Sequence, residues 1–349
     1  MRASTIRIQC FSLASLITLA SCASVSASDA NDNTELGMAS AIGAETWGRC
    51  AAQMSVTGSK VYELSHIRSN TMPASPFGVP LEYSFRPTAG LPGTRHAFNG
   101  EQLTGETGAQ GTQMDALGHF GFLEEPWDGN GDFPADKVKY YGGYTQKDVK
   151  PTDGSRLLKL GVDRVPPIIT SAILLDARSH LGDGEPLSAG KTITASDIKA
   201  MLKAQGLSKR GVLRGDVVYI YTGWSDRWQD PDENKSYYTM GPGLSYDAAQ
   251  YLGKKGVVLV SLDNPFTDPV NDGQLTGKAG PAEGAPDGFP FAIHHHNLTQ
   301  SGVLQIQNSR LVDLARDKVW LSCTMILPLR VEGGSGSPVR PVAIGVPAE

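Results

Sequence analysis

Gly111-Thr112-Gln113-Met114-Asp115-Ala116-Leu117-Gly118-His119-Phe120 sets an acid and a histidine four residues apart in a glycine-rich, weakly apolar segment. If Gln113 to Asp115 is extended, the side chains of Gln113 and Asp115 share one face. His119 then curls back toward Asp115 from the following turn. A carboxylate beside an imidazole can activate water. The same residue types also cap helices and satisfy turns, so the surrounding chain has to decide between the two uses.

That surrounding chain alternates strands and helices. Val61-Tyr62-Glu63-Leu64-Ser65 reads as a strand, and Ala172-Ile173-Leu174-Leu175 as a short buried one. Thr194-Ala195-Ser196-Asp197 resembles a capping box, with Ile198, Met201, Leu202 and Gln205 following at helical spacing and Gly206 at the stop. Asp216 to Thr222 is β-branched and aromatic, hence a strand; Ser245 to Lys254 reads as a helix and Gly256 to Val260 as the strand after it. The last apolar run, Val319 to Val331, is strand-like. This order predicts an α/β domain with parallel strands in its core. Three loop regions interrupt it, at 68–100, 124–155 and 264–291, rich in Pro, Gly or aromatic residues.

The N-terminal residues read as a secretory signal over 1–27: Arg2 and Arg7 precede a short apolar core from Phe11 to Ala20. Leu19-Ala20-Ser21-Cys22 resembles a bacterial lipobox with cleavage before Cys22, while Val25-Ser26-Ala27 offers an ordinary small-x-small site. The expectation is export, to the periplasm or to a lipid anchor on a membrane face. Residues 28–44 read as a flexible lead and 45–349 as a single domain; about 320 residues remain after the signal, enough for one large domain. The formal net charge of −5 is well mixed along the chain, which argues against a nucleic-acid partner. Cys50 and Cys323 can pair in an oxidising compartment, but Cys323 lies in an apolar run, and a buried free thiol is the favoured expectation.

Taken with the order of the other segments, the opening stretch resembles the signature of the cyclase family of hydrolases, which includes bacterial kynurenine formamidase and isatin hydrolase. That signature is H-x-G-T-H-x-D-x-P-x-H. Here Ala109 and Gln113 stand where its first two histidines would be and Leu117 replaces the proline, while Asp115 and His119 remain. Gly211 to Trp224, Ser261-Leu262-Asp263-Asn264, Leu327-Pro328-Leu329-Arg330 and Gly336-Ser337-Pro338-Val339 are similar to further family segments in the same order. The likeness covers roughly 45 to 345.

The resemblance implies a swivelling β/β/α domain with a mixed central sheet, dimers or tetramers, and hydrolysis of a C–N bond in an amide, cyclic amide or formamide, or of a lactone. It makes Asp115 a metal ligand and His119 the general acid/base. A later His and Glu complete the family's ligands. His294 of His294-His295-His296-Asn297 matches that histidine best by its spacing to Gly302, with His295 close behind, and Gln307 stands where the glutamate would be. Gln113 and Gln307 offer neutral amide oxygens, which hold ions more weakly than imidazole or carboxylate. Three readings stand open: one divalent metal (Zn or Mn) on Asp115 and His294 with help from Gln113 and Gln307; metal-free hydrolysis by Asp115 and His119; or a non-catalytic small-molecule binding protein. Glu101 and Glu106 are candidates for a missing carboxylate. Thr222, Trp224 and Asp263, at strand ends, are candidates for binding substrate, with strand-end packing the alternative.

Overall fold

The computed structural model describes residues 34–348. The expected signal segment and Cys22 lie outside them. One nine-stranded sheet carries the fold. Across it run Lys60–Glu63, Val342–Gly345, Leu321–Ile326, Ile168–Asp176, Val217–Tyr221, Leu259–Leu262, Leu304–Gln307, Gln113–Asp115 and Gly336–Pro338. The central four, from Ile168–Asp176 to Leu304–Gln307, are mutually parallel. Strands on both flanks pair antiparallel. The expected α/β class with a mixed central sheet is what forms.

Period-two alternation builds two cores from the same strands. Leu174, Tyr219, Leu259 and Ile306 enter one, with Met114 and Leu117. Ile173, Leu175, Val218, Ile220, Val260 and Leu262 face the other, where the helices Ala195–Ala204 and Tyr246–Lys255 bring Ile198, Met201, Leu202, Ala248 and Leu252. Each such buried Leu, Ile or Val contributes about 1.5–3 kcal/mol. Thr194 caps the first of these helices in a box with Asp197, as its sequence predicts. Asp216, fully buried before its strand, is held by Ser171 at 2.6 Å, the Leu213 amide at 2.8 Å and the Arg210 guanidinium.

Three expectations need correction. The lead is folded from Thr34 onward: Thr34–Ala41 forms a 3-10 segment with Ala39 buried, because the Met38 amide donates to the Gly302 carbonyl at 2.8 Å. The helix Ala44–Met54 follows. Residues 68–100 are not wholly irregular. Glu82–Phe85 pairs with Glu101–Thr104, and Ala89–Gly90 with Ala97–Phe98, making an arm whose Phe85, Leu91 and Phe98 are exposed. Finally, Cys50 and Cys323 form a disulfide between the Ala44–Met54 helix and the sheet, so Cys323 is no free thiol.

Candidate active site

Gln113–Asp115 is indeed extended, and the turn Leu117–His119 follows. The strand is sandwiched between Leu304–Gln307 and Gly336–Pro338, with Gln307 opposite Gln113 and Gln305 opposite Asp115. Directly opposed side chains in such a pair stand about 5 Å apart at Cβ, so register alone brings Gln113, Asp115 and Gln307 together. The His119 turn closes through its amide on the Ala116 carbonyl at 2.9 Å. Glycine allows the wall to close: a Cβ on Gly108 would lie 2.8 Å from the Gly336 carbonyl group, so these two backbones can touch only without side chains.

Asp115 is 1% exposed and lies at the bottom of a cavity of about 570 Å³. Its Oδ2 accepts from Gln307 Nε2 at 2.6 Å and faces His294 Nε2 at 3.5 Å. Its Oδ1 lies 4.0 Å from His119 Nε2 and has no hydrogen-bond partner among the described residues. Burial raises the Asp115 pKa, but His119, His294 and Gln307 together outweigh it and hold the carboxyl below its usual range. His119 remains one-third exposed at the side chain, open to the cavity. The pair therefore joins a buried charge to an accessible imidazole.

His294 comes from a helical turn, Ala292–His294, running into the π-helix His295–Ser301. His294 and His295 are buried; His295 stacks on Phe289 and His296 meets the Tyr246 ring. His294 Nδ1 bonds Asp268 Oδ2, while Asp268 Oδ1 accepts the Ile293 amide at 2.6 Å. Burial pulls the His294 pKa down, yet Asp268 and then Asp115 overcome this and push it up to about 10. Asp268 is a residue that the sequence reading missed. It lies in a Pro-rich loop with no spacing signal, and only the fold brings it behind His294.

Of the other candidates, Gln113, Gln307 and Glu106 line the cavity and Glu101 does not. Thr222, Trp224 and Asp263 do not line it either. Asp263 instead ties the turn after Val217–Tyr221, accepting from the Thr222 amide and hydroxyl at 2.7 Å each, the Gly223 amide at 3.0 Å and the Ser225 hydroxyl at 2.9 Å. Burial raises its pKa against those donors. Trp224 is buried and donates to the Tyr237 carbonyl at 3.2 Å. Asn308, left-handed at φ 59°, donates to the Tyr238 hydroxyl at 2.9 Å, and Tyr238 does reach the cavity. These strand-end residues thus support the cavity from behind.

The cyclase family's sequence pattern matches residues 62–269. The chain belongs to the cyclase family. A kynurenine formamidase of Bacillus thuringiensis (strain Al Hakam) is 31% identical to this cyclase over 101 residues, 29% of this chain and 39% of the relative. That of Bacillus cytotoxicus (strain DSM 22905 / CIP 110041 / 391-98 / NVH 391-98) is 31% identical over the same share. The match to these curated relatives thus spans well under half of their length. A crystal structure of a novel cyclase superposes with a TM-score of 0.71 at 22% identity, covering 89% of this chain and 96% of that one. Isatin hydrolase A from Ralstonia solanacearum gives 0.54 at 19% identity, covering 82% and 92%. At these identities the likeness shows the fold. Among the described residues of this cyclase, no group of three or more His, Cys, Asp or Glu side chains gathers as a metal-holding set.

Proposed function

We propose that this cyclase is a hydrolase that adds water to the C–N bond of a small amide, cyclic amide or formamide, or to a lactone, with His119 as general acid/base and no metal. One observation carries the reading: His119 Nε2 and the unpartnered Oδ1 of buried Asp115 meet 4.0 Å apart in one cavity. A gap of that size admits a shared water. In its neutral form, His119 takes a proton from that water as oxygen attacks the carbonyl, then returns it to the departing nitrogen or oxygen. Asp115 stabilises the imidazolium formed in between. The partial matches to kynurenine formamidases support an amide-type substrate.

The donor set does not fit a resident divalent ion. Ala109 supplies no ligand atom, and Gln113 and Gln307 supply only amides. An ionised carboxylate only accepts hydrogen bonds, so the Gln307 amide nitrogen faces Asp115 and engages its Oδ2, leaving Oδ1 as the one carboxylate oxygen there without a partner among the described residues. His294 meets a carboxylate at each ring nitrogen. Its imidazolium supplies the positive charge beside Asp115.

Purified protein screened against amides and lactones tests the proposal. Turnover is expected, with loss in His119→Ala and in Asp115→Asn; turnover intact in both variants overturns it. The replaced ligand positions also favour a second reading, a non-catalytic binding protein for small molecules, which predicts ligand binding without turnover. We further propose assembly as a homodimer or homotetramer, supported by the exposed Phe85, Leu91 and Phe98 of the arm. Light scattering that finds only monomer removes that part.

A further inference from the structure

Three acceptor oxygens on residues that line the cavity have no donor among the described residues. Gln113 Oε1, Asp115 Oδ1 and Gln307 Oε1 are buried, and none has a hydrogen-bond partner among the described residues. Asp115 and Gln307 are each 1% exposed. The Gln307 oxygen is fixed as the free atom because its nitrogen is bound to Asp115. Leaving such groups unpaired costs about 1–3 kcal/mol each, so an occupant that donates is favoured at all three.

The charges point the same way. Two buried carboxylates, Asp115 and Asp268, flank the single His294 ring. Glu106 adds another acid on the wall, and no Lys or Arg among the described residues lines the cavity. Arg68, behind the wall, directs its guanidinium to the Thr107 and Thr112 carbonyls. The rest of the wall is aromatic: Phe77, Phe120, Phe266 and Phe291. Ring faces attract cations.

We propose that this cavity recognises a primary ammonium group carried on an aromatic body, with the three N–H donors of the ammonium meeting Gln113, Asp115 and Gln307. Among the described residues, no Lys or Arg lines the cavity to receive an anionic head group.

Calorimetric titration of the full protein at pH 7 with benzylammonium, benzyltrimethylammonium and benzoate tests this without turnover. Benzylammonium is expected to bind at least about tenfold tighter than either of the others, and Gln113→Met to weaken it by about tenfold. Gln307→Met should weaken it as well; Gln113→Met, which breaks no bond within the chain, keeps the test decisive if Gln307→Met fails to fold. Benzoate or benzyltrimethylammonium binding as tightly as benzylammonium overturns the proposal, as does no benzylammonium binding at about 10 mM. Stoichiometric displacement by Mn²⁺ would assign the oxygens to a metal and overturn it too. A protein that binds benzylammonium but hydrolyses nothing keeps this inference and loses the hydrolase reading; one that hydrolyses amides and ignores ammonium does the reverse.

Discussion

Asp268 grips His294 from behind, across twenty-six residues of sequence, with its Oδ2 on the ring Nδ1. Its other oxygen takes the Ile293 amide, so one carboxylate orients both the imidazole and the turn that presents it.

Removing that carboxylate leaves His294 beside Asp115 with its Nδ1 proton unpaired. Asp268→Ala should cost about 3–5 kcal/mol, the loss typical of breaking one side of a buried ion pair, read from the urea midpoint. Asp268→Asn keeps the amide contact and should cost less. Equal stability in wild type and Asp268→Ala would show that the pair is not doing this work.

The same pair sets a pH window. Although burial opposes it, Asp268 and Asp115 raise the folded pKa of His294 from 6.5 to about 10. Its stabilisation is therefore full below about pH 6.5 and fades as pH climbs toward 10. Asp115 acts with the opposite sign. Its folded pKa is depressed despite burial, so its share is present above the usual value of 3.8 and disappears as pH falls through the lower folded value. Thermal melting should show a midpoint that declines on the alkaline side, and a flatter alkaline limb in Asp268→Asn. A wild-type midpoint unchanged from neutrality to pH 10 contradicts the assignment.

Metal removal gives a separate check. Elemental analysis of the purified protein should find no stoichiometric divalent ion, and exhaustive chelation should leave turnover unchanged. One Zn or Mn per chain that disappears in His294→Ala, together with activity lost on chelation, would restore the metal-dependent reading.

The disulfide joins positions separated by 273 residues. Closing so long a loop restricts the unfolded chain, and such bridges typically contribute about 2–5 kcal/mol. Cys323→Ser, or reduction under native conditions, should lower the thermal midpoint while leaving substrate affinity unchanged, because neither cysteine lines the cavity. An unaltered midpoint would count against any stabilising role.

Much of this fold was legible locally. The β-branched and aromatic run from Asp216 to Thr222 and the box at Thr194 follow from short-range physics, and the corresponding elements form within a few residues of the expected ends. The extended Gln113–Asp115 and the return of His119 were also readable. What escaped is non-local. Asp268 has no periodic context, and its role exists only once its loop packs under the His294 turn. Thr222, Trp224 and Asp263 sit at strand ends as read, but their polar groups are engaged by one another and by Tyr237, which sequence cannot reveal. The pairing of Cys50 with Cys323 likewise depends on where a helix lands on the sheet.

Because Gln113 and Gln307 are partners in strand register, their separation is a property of the backbone and survives a change of side chain. A slip of one residue would turn both away to the opposite face. Restoring imidazoles at 109 and 113 and a carboxylate at 307, by Ala109→His, Gln113→His and Gln307→Glu, should be enough to convert this chain into a metalloprotein without rebuilding its architecture.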